Sequence, residues 1–247
     1  MIVNFKNKFQ KIEIKQALEK IISAADTHFM GDEMLVLNKN MHFFSDQKFN
    51  EVFCKTALND HYKGMAWRMH VLLYASQMAM KVSGDFIECG VFRGFKSYFI
   101  LSYFGELLSN RNYFLMDTFE GIDNNLSEGS PIYPAEHQKL RLHEFIVKRF
   151  SDFSNVRIVK GSVPNSLDFV QFENIAFLHL DMNSYQAEIG ALERLWDHIP
   201  LGGVIVLDDF GLFSHRAQLE NELPWFSEKE QPVLEFPTGQ GMVIKTR

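Results

Sequence analysis

Asp181, Asp208 and Asp209 are the residues of this chain whose types and spacing could do chemistry. Asp181 closes the apolar run Ile175–Leu180, and Asp208 and Asp209 close the run Val204–Leu207. Short, continuous apolar runs that end abruptly in acid read as strands buried on both faces, as in a parallel sheet. Between them Tyr185, Ile189, Leu192, Trp196 and Ile199 recur at helical spacing, which supplies the crossover that parallel neighbours require. Groups at the carboxyl ends of adjacent strands face one crevice. Without a cation, three acids there repel one another and raise one another's pKa values, and a divalent metal would remove that conflict. The plainer role is capping: Asp181 for the helix beginning near Ser184, Asp209 for whatever follows it. Three acids on adjacent strand ends favour a metal site over separate caps.

The elements that must position these acids can be read on either side. Asp85–Cys89 is the first strand of the sheet, followed by Gly90-Val91-Phe92-Arg93-Gly94 and a helix carrying Phe95, Phe99, Ile100, Leu101 and Phe104. An acid, a glycine-spaced turn and a helix start make a nucleotide-binding arrangement, because glycines admit ligand atoms to the backbone and the helix end offers unused N–H groups. The pattern is ExGxxxG rather than GxGxxG, which suits a ligand without phosphates. A second strand, 113–116, ends in Asp117, an acid placed to accept both hydroxyls of a ribose. Asp117-Thr118-Phe119-Glu120-Gly121 is then the nucleoside end of the same site. Residues 122–134 form a polar loop of the kind that serves as a lid. A helix is expected near 135–150, then a strand over 156–159, with Gly161 and Ser162 bordering an adenine ring. Residues 212–226 read as helical. Leu234-Glu235-Phe236 and Met242-Val243-Ile244 flank a hairpin signal, so the sheet ends in an antiparallel pair.

The first eighty or so residues read as helices. Leu18, Ile21, Ile22, Ala25 and Phe29 continue one face from Ile14, and Phe49, Val52, Phe53 and Ala57 mark a second helix. A third, 62–82, carries Trp67, Val71, Tyr74, Ala75, Met78 and Val82 on one stripe and Met65, Met69, Leu73 and Met80 on other faces. A helix apolar nearly all round is buried in its own domain or shared with another chain. The expected division is a helical cap or dimerisation layer over 1–83 and a sheet domain over 84–247. A net charge of −6 with no basic run argues against gripping nucleic acid through its phosphates. Cys54 and Cys89 lie far apart without metal-ligand spacing, which suits a reduced compartment. No stretch has the pattern of a signal peptide or the length of a membrane span, so a cytoplasmic protein without a membrane partner is expected.

The segments ECGVFRG, DTFEGID, LHLDMNSY and GGVIVLDDFG, in this order, resemble the macrocin O-methyltransferase (TylF-type) family. The resemblance implies an α/β protein with the class I methyltransferase, Rossmann-like fold: a seven-stranded, mostly parallel sheet with an antiparallel last strand, here with an N-terminal helical extension. It implies S-adenosylmethionine and Mg2+ as cofactors, a homodimeric or larger assembly, and methylation of a hydroxyl on a sugar or glycosylated small molecule. Glu88, Gly90, Val91 and Gly94 then belong to the cofactor loop, Asp117, Thr118 and Phe119 to the ribose end, and Gly161 and Ser162 to the adenine end. Asp181, Asp208 and Asp209 match the metal ligands, and Asp181 is also the candidate catalytic residue.

The chain departs from the family pattern in three places. Asn183 stands where the family has the second acid of DxDxY, the loop after the third strand reads GSVPNSL, and Lys96 replaces a small residue in the first helical turn. The base therefore stays open between Asp181, a water, and a histidine such as His28, His61 or His137. His179 points into a strand and reads as a packed core residue. Two further readings are a metal-dependent methyltransferase of a catechol-like phenol, with which Phe29, Phe43, Phe44 and Trp67 are compatible, and a non-catalytic cofactor-binding module. A nicotinamide-dependent dehydrogenase is disfavoured by the missing GxGxxG.

Overall fold

The computed structural model describes residues 8–57, 59–127 and 142–247. Its N-terminal layer consists of α1 (Lys8–Ser23), a hairpin of β1 (His28–Gly31) and β2 (Met34–Leu37), then α2 (Gln47–Thr56), α3 (Asp60–Lys63) and α4 (Ala66–Ala79). The hairpin corrects the helical reading of residues 14–29, since Phe29 pairs with Val36 in an antiparallel ladder. Asp32 and Glu33 at its tip both have positive φ, the backbone that a tight hairpin with a right-handed twist needs. The expected helix over 62–82 is broken at Gly64-Met65. A Cβ on Gly31 would stand 2.5 Å from the Gly64 carbonyl oxygen, so the hairpin backbone lies directly on that break. Asp46 and Asn59 accept from the N–H groups of Phe49 and Tyr62 and so cap α2 and α3.

The sheet begins at β3 (Asp85–Cys89) and continues through α5 (Phe95–Phe104), β4 (Tyr113–Asp117), α6 (His143–Arg149), β5 (Val156–Lys160) and β6 (Ile175–Leu180). It is completed by α7 (Tyr185–Leu195), β7 (Val204–Leu207), α8 (Arg216–Glu228), β8 (Leu234–Glu235) and β9 (Gly241–Ile244). The strand order is β5-β4-β3-β6-β7-β9-β8, and β9 runs antiparallel to both its neighbours, as the sequence reading expected. Every residue of β6 and β7 is buried, because helices cover both faces of the sheet. On one face Phe49, Phe53, Leu72 and Phe99 pack with Phe177 and Val206. On the other, Leu192, Trp196 and Phe226 pack with Leu178 and Ile205. The apolar surface of α4 is met within the chain by β6, β7 and α5. No helix among the described residues is long and apolar enough to cross a membrane.

The strand order turns around between β3 and β6, with β4 and β5 on one side and β7 on the other. That is the point where an open parallel sheet leaves a crevice at its carboxyl edge.

Candidate active site

A cavity of about 800 Å³ opens at this point, a size that accommodates a nucleoside cofactor together with an acceptor. Loops following β3, β4, β5, β6 and β7 line it, and Asp32, Tyr62, Met65 and Arg68 of the N-terminal layer close it from above. Phe92, Phe119 and Asn183, one in each of the loops after β3, β4 and β6, have left-handed backbones. Bulky residues held there cost on the order of 1–3 kcal/mol each, and such strain concentrates where loop geometry serves a ligand.

The expected cofactor residues divide into two groups. Gly90, Val91, Asp117, Thr118, Phe119, Gly161 and Ser162 line the cavity, whereas Glu88 and Gly94 do not. Gly90 has φ +90°, and a Cβ there would collide with the Asp181 carbonyl, so it lets the β3 loop meet the end of β6. Gly94 starts α5 with φ +67°, and a Cβ there would strike Phe150. Glu88 is buried beneath the loop, where it accepts from Ser97 and faces Nδ1 of His179 at 3.1 Å. Asp117 clips two loops together: Oδ2 accepts from the amides of Val91 (2.7 Å) and Phe92 (2.8 Å), and Oδ1 from Phe119 (2.6 Å). Ribose hydroxyls would share those oxygens. Ser162 donates to Asp123 at 2.6 Å, tying the loop after β5 to the loop after β4. Of the expected lid, residues 122–127 are described, and Asp123 and Leu126 line the cavity. Residues 128–134, His137 and the first part of the helix expected from 135 lie outside the described residues.

Asp181, Asp208 and Asp209 converge, with one carboxylate oxygen from each lying within 4.8 Å of the others. Capping does not occupy Asp181, because Ser184 caps α7 by accepting from Ala187. Their counter-charges are protein cations. Lys96 Nζ lies 2.5 Å from both Asp181 Oδ2 and Asp208 Oδ2. Arg68 donates to Asp208 Oδ2 at 2.7 Å and Asp209 Oδ1 at 3.3 Å, and forks onto Asp32 at 3.0 and 3.2 Å. His179 Nε2 and Gln240 Nε2 reach Asp208 Oδ1 at 3.2 and 3.1 Å. Burial opposes the charges on Arg68, Lys96 and His179, but the surrounding carboxylates outweigh it and raise all three pKa values, that of His179 to about 9. His179 is buried in the core as expected, and it also bridges Glu88 and Asp208. Burial would also raise Asp208, yet Arg68, Lys96 and His179 hold it well below the carboxylate range. Asp181 goes the other way: burial, with Asp208 and Asp209 nearby, outweighs Lys96 and raises it well above that range.

A divalent ion has the right donor chemistry in these acids, but Asp181 Oδ2, both oxygens of Asp208 and Asp209 Oδ1 already meet donors of the chain. A carboxylate offers about four lone-pair sites, and Asp208 meets Arg68, Lys96, His179 and Gln240. Magnesium bonded at about 2.1 Å to either oxygen that Lys96 touches would stand within roughly 5 Å of the ammonium. The site as arranged does not fit the ion. Among the histidines offered as bases, His61 lines the cavity and His28 does not. His215, which the sequence reading missed, lies on the wall with Nε2 at 2.8 Å from Asn183 Oδ1 and 3.5 Å from Asp209 Oδ2. Arg68 was also missed, although a lone full charge in the otherwise apolar α4 was a signal in plain view. Phe29, Phe43, Phe44 and Trp67 pack among themselves and do not line the cavity.

The sequence model of the macrocin-O-methyltransferase (TylF) family matches residues 66–230, more than half of the chain. The chain belongs to this family. Its seven-stranded sheet is the class I methyltransferase fold: the macrocin-O-methyltransferase family chain superposes on the O-methyltransferase NovP with a TM-score of 0.60, at 19% identity over 73% of this chain and 80% of that one. It also superposes on the calicheamicin methyltransferase CalS11 with a TM-score of 0.58, at 15% identity over 85% of this chain and 94% of that one. In sequence it is 26% identical over 152 residues to the 8-demethyl-8-(2,3-dimethoxy-alpha-L-rhamnosyl)-tetracenomycin-C 4'-O-methyltransferase of Streptomyces olivaceus, covering 55% of this chain and 56% of that protein. It is 24% identical over 164 residues to the mycinamicin III 3''-O-methyltransferase of Micromonospora griseorubida, covering 58% and 62%. The chain thus spans little more than half the length of the curated relatives it matches.

Proposed function

We propose that this protein is an S-adenosylmethionine-dependent O-methyltransferase acting on a hydroxyl of a sugar-bearing small molecule. The observation that carries the reading is that one cavity joins the cofactor loop, Asp117 and its neighbours, Gly161-Ser162 and the three strand-end acids. Val91 and Phe119 give that cavity apolar walls for an adenosine, and the acids stand where an acceptor hydroxyl would enter. The relative from Streptomyces olivaceus is named for O-methylation of a rhamnosyl-bearing compound, and that from Micromonospora griseorubida for O-methylation of mycinamicin III. The flat phenol loses its support, since the aromatic residues that suggested it pack away from the cavity. A charge of −6 supports a small-molecule partner over nucleic acid.

S-adenosylmethionine supplies a methyl group on a sulfonium: the acceptor oxygen bonds to the methyl carbon as the C–S bond breaks, and that electron pair stays on sulfur. The chain's own work is to align the acceptor at about 3–3.5 Å from the methyl carbon and to take the hydroxyl proton. Asp181 is our choice of proton acceptor, because it lies at the cavity end of β6 among the acids that an entering acceptor hydroxyl would meet.

The test pairs calorimetric titration of S-adenosylhomocysteine with a methyl-transfer assay on glycosylated acceptors read by mass spectrometry. Wild type and Asp181→Asn should bind the nucleoside alike, and the variant should lose roughly 10²–10⁴-fold in turnover. Absence of nucleoside binding to wild type would overturn the reading.

A further inference from the structure

Lys96 is the residue on which the cavity's electrostatics turn. It stands on the first turn of α5, directly after the cofactor loop, and crosses the cavity wall to the ends of β6 and β7. Its side chain is only 11% exposed, and its ammonium touches two of the three clustered acids at 2.5 Å each. Arg68 fixes the remaining side of the cluster, reaching Asp208 and Asp209. The acids therefore come together around cations that belong to the chain.

We propose that Lys96 takes the place of the divalent cation, so that this protein binds its cofactor and acceptor with a built-in counter-charge and needs no metal. This deepens the proposed function and rests on it. Three observations point the same way. The ammonium sits between Asp181 Oδ2 and Asp208 Oδ2, inside the cluster of acids that an ion would need. The other oxygen of Asp208 is taken by His179 and Gln240, so turning the carboxylate frees nothing. Arg68 is 2% exposed and held by Asp32 and the Thr238 carbonyl as well as by the acids, so it cannot step aside to admit a second cation. An ammonium carries three N–H groups. Two hold Asp181 and Asp208, which leaves one for an oxygen entering the cavity, where negative charge would develop as a hydroxyl gives up its proton.

The experiment measures binding of Mn2+, whose hydrated ion has a paramagnetic resonance signal that falls on coordination, to chelator-treated wild type, Asp209→Asn, Lys96→Met and Lys96→Met with Asp209→Asn. S-adenosylhomocysteine is titrated into each in parallel with chelator present. Wild type should leave the Mn2+ signal unchanged at micromolar metal. Lys96→Met should bind at least tenfold more tightly, rise in melting temperature when Mg2+ is added, and lose both effects with Asp209→Asn. Micromolar Mn2+ binding by wild type that Asp209→Asn abolishes would overturn the proposal, and so would a Lys96→Met protein that binds no better than wild type. If Lys96→Met does not fold without metal, the wild-type measurement still decides, and folding of the variant restored by Mg2+ supports the proposal. Failure of all proteins to bind the nucleoside would instead overturn the function on which it rests.

Discussion

Arg68 shows how a single side chain can hold an active-site framework together. Its guanidinium meets Asp32, Asp208, Asp209 and the carbonyls of Asp208 and Thr238, so one residue of the N-terminal layer ties down the ends of the sheet and the hairpin tip. A planar fork suits so many acceptors, and a compact ammonium does not. Removing one partner of a buried ion pair strands the other charges and costs about 3–5 kcal/mol. Arg68→Met should therefore lower the melting temperature by roughly 6–20 °C in a chain of this size. Arg68→Lys should recover only part of the loss. Thermal unfolding followed by circular dichroism would measure both, and a Lys variant as stable as wild type would show that charge alone matters and the fork does not.

At the scale of elements, the sheet was legible because strands buried on both faces must be continuously apolar, and β6 and β7 end in acid where they reach the cavity. The β1–β2 hairpin was hidden because Phe29 also continues the apolar face of α1, and nothing in so short a segment separates the two periods. Arg68, Lys96 and Gln240 meet Asp208 from distant points of the chain, which no spacing rule exposes. The contact between α7 and α8 was equally hidden. There Glu188 and Glu222 lie buried within reach of one another, and Gln218 and the Met182 amide are the donors to Glu188. Burial raises both pKa values: that of Glu188 is raised further by Glu222, and that of Glu222 reaches about 7 with Asp209 nearby although its contact with Glu188 lowers it. The folded state thus keeps a proton that the unfolded chain has released above its ordinary value of 4.5. Stability from this pair is complete below that value and is lost as pH rises through 7, by an amount on the order of 3 kcal/mol. Between about pH 5 and 7.5 wild type should lose stability to denaturant that Glu222→Gln retains. Parallel curves for the two proteins would show that the carboxyls do not share a proton.

The whole molecule folds around one sheet, and its N-terminal layer is part of the same core. The cluster on the α4 side runs without interruption from Phe43, Phe49 and Phe53 through Leu72 and Phe99 to Phe177, Val206 and Met242. The same layer supplies Arg68, Asp32 and Tyr62 to the cavity, so the site is completed only when the layer is docked. A division at residue 83 separates segments of sequence, but the packing on either side of that point is shared. Chains with a common core unfold together, and probes in different parts then report coincident transitions. Trp67 stands in the N-terminal layer, whereas Trp196 and Trp225 meet edge to face on the opposite face of the sheet. In a variant whose only tryptophan is Trp67 and in another retaining only Trp196, denaturant midpoints followed by fluorescence should agree with each other and with loss of helical circular dichroism. An earlier transition at Trp67 would mean that the layer detaches while the sheet persists, and that the cavity can open by undocking of α4.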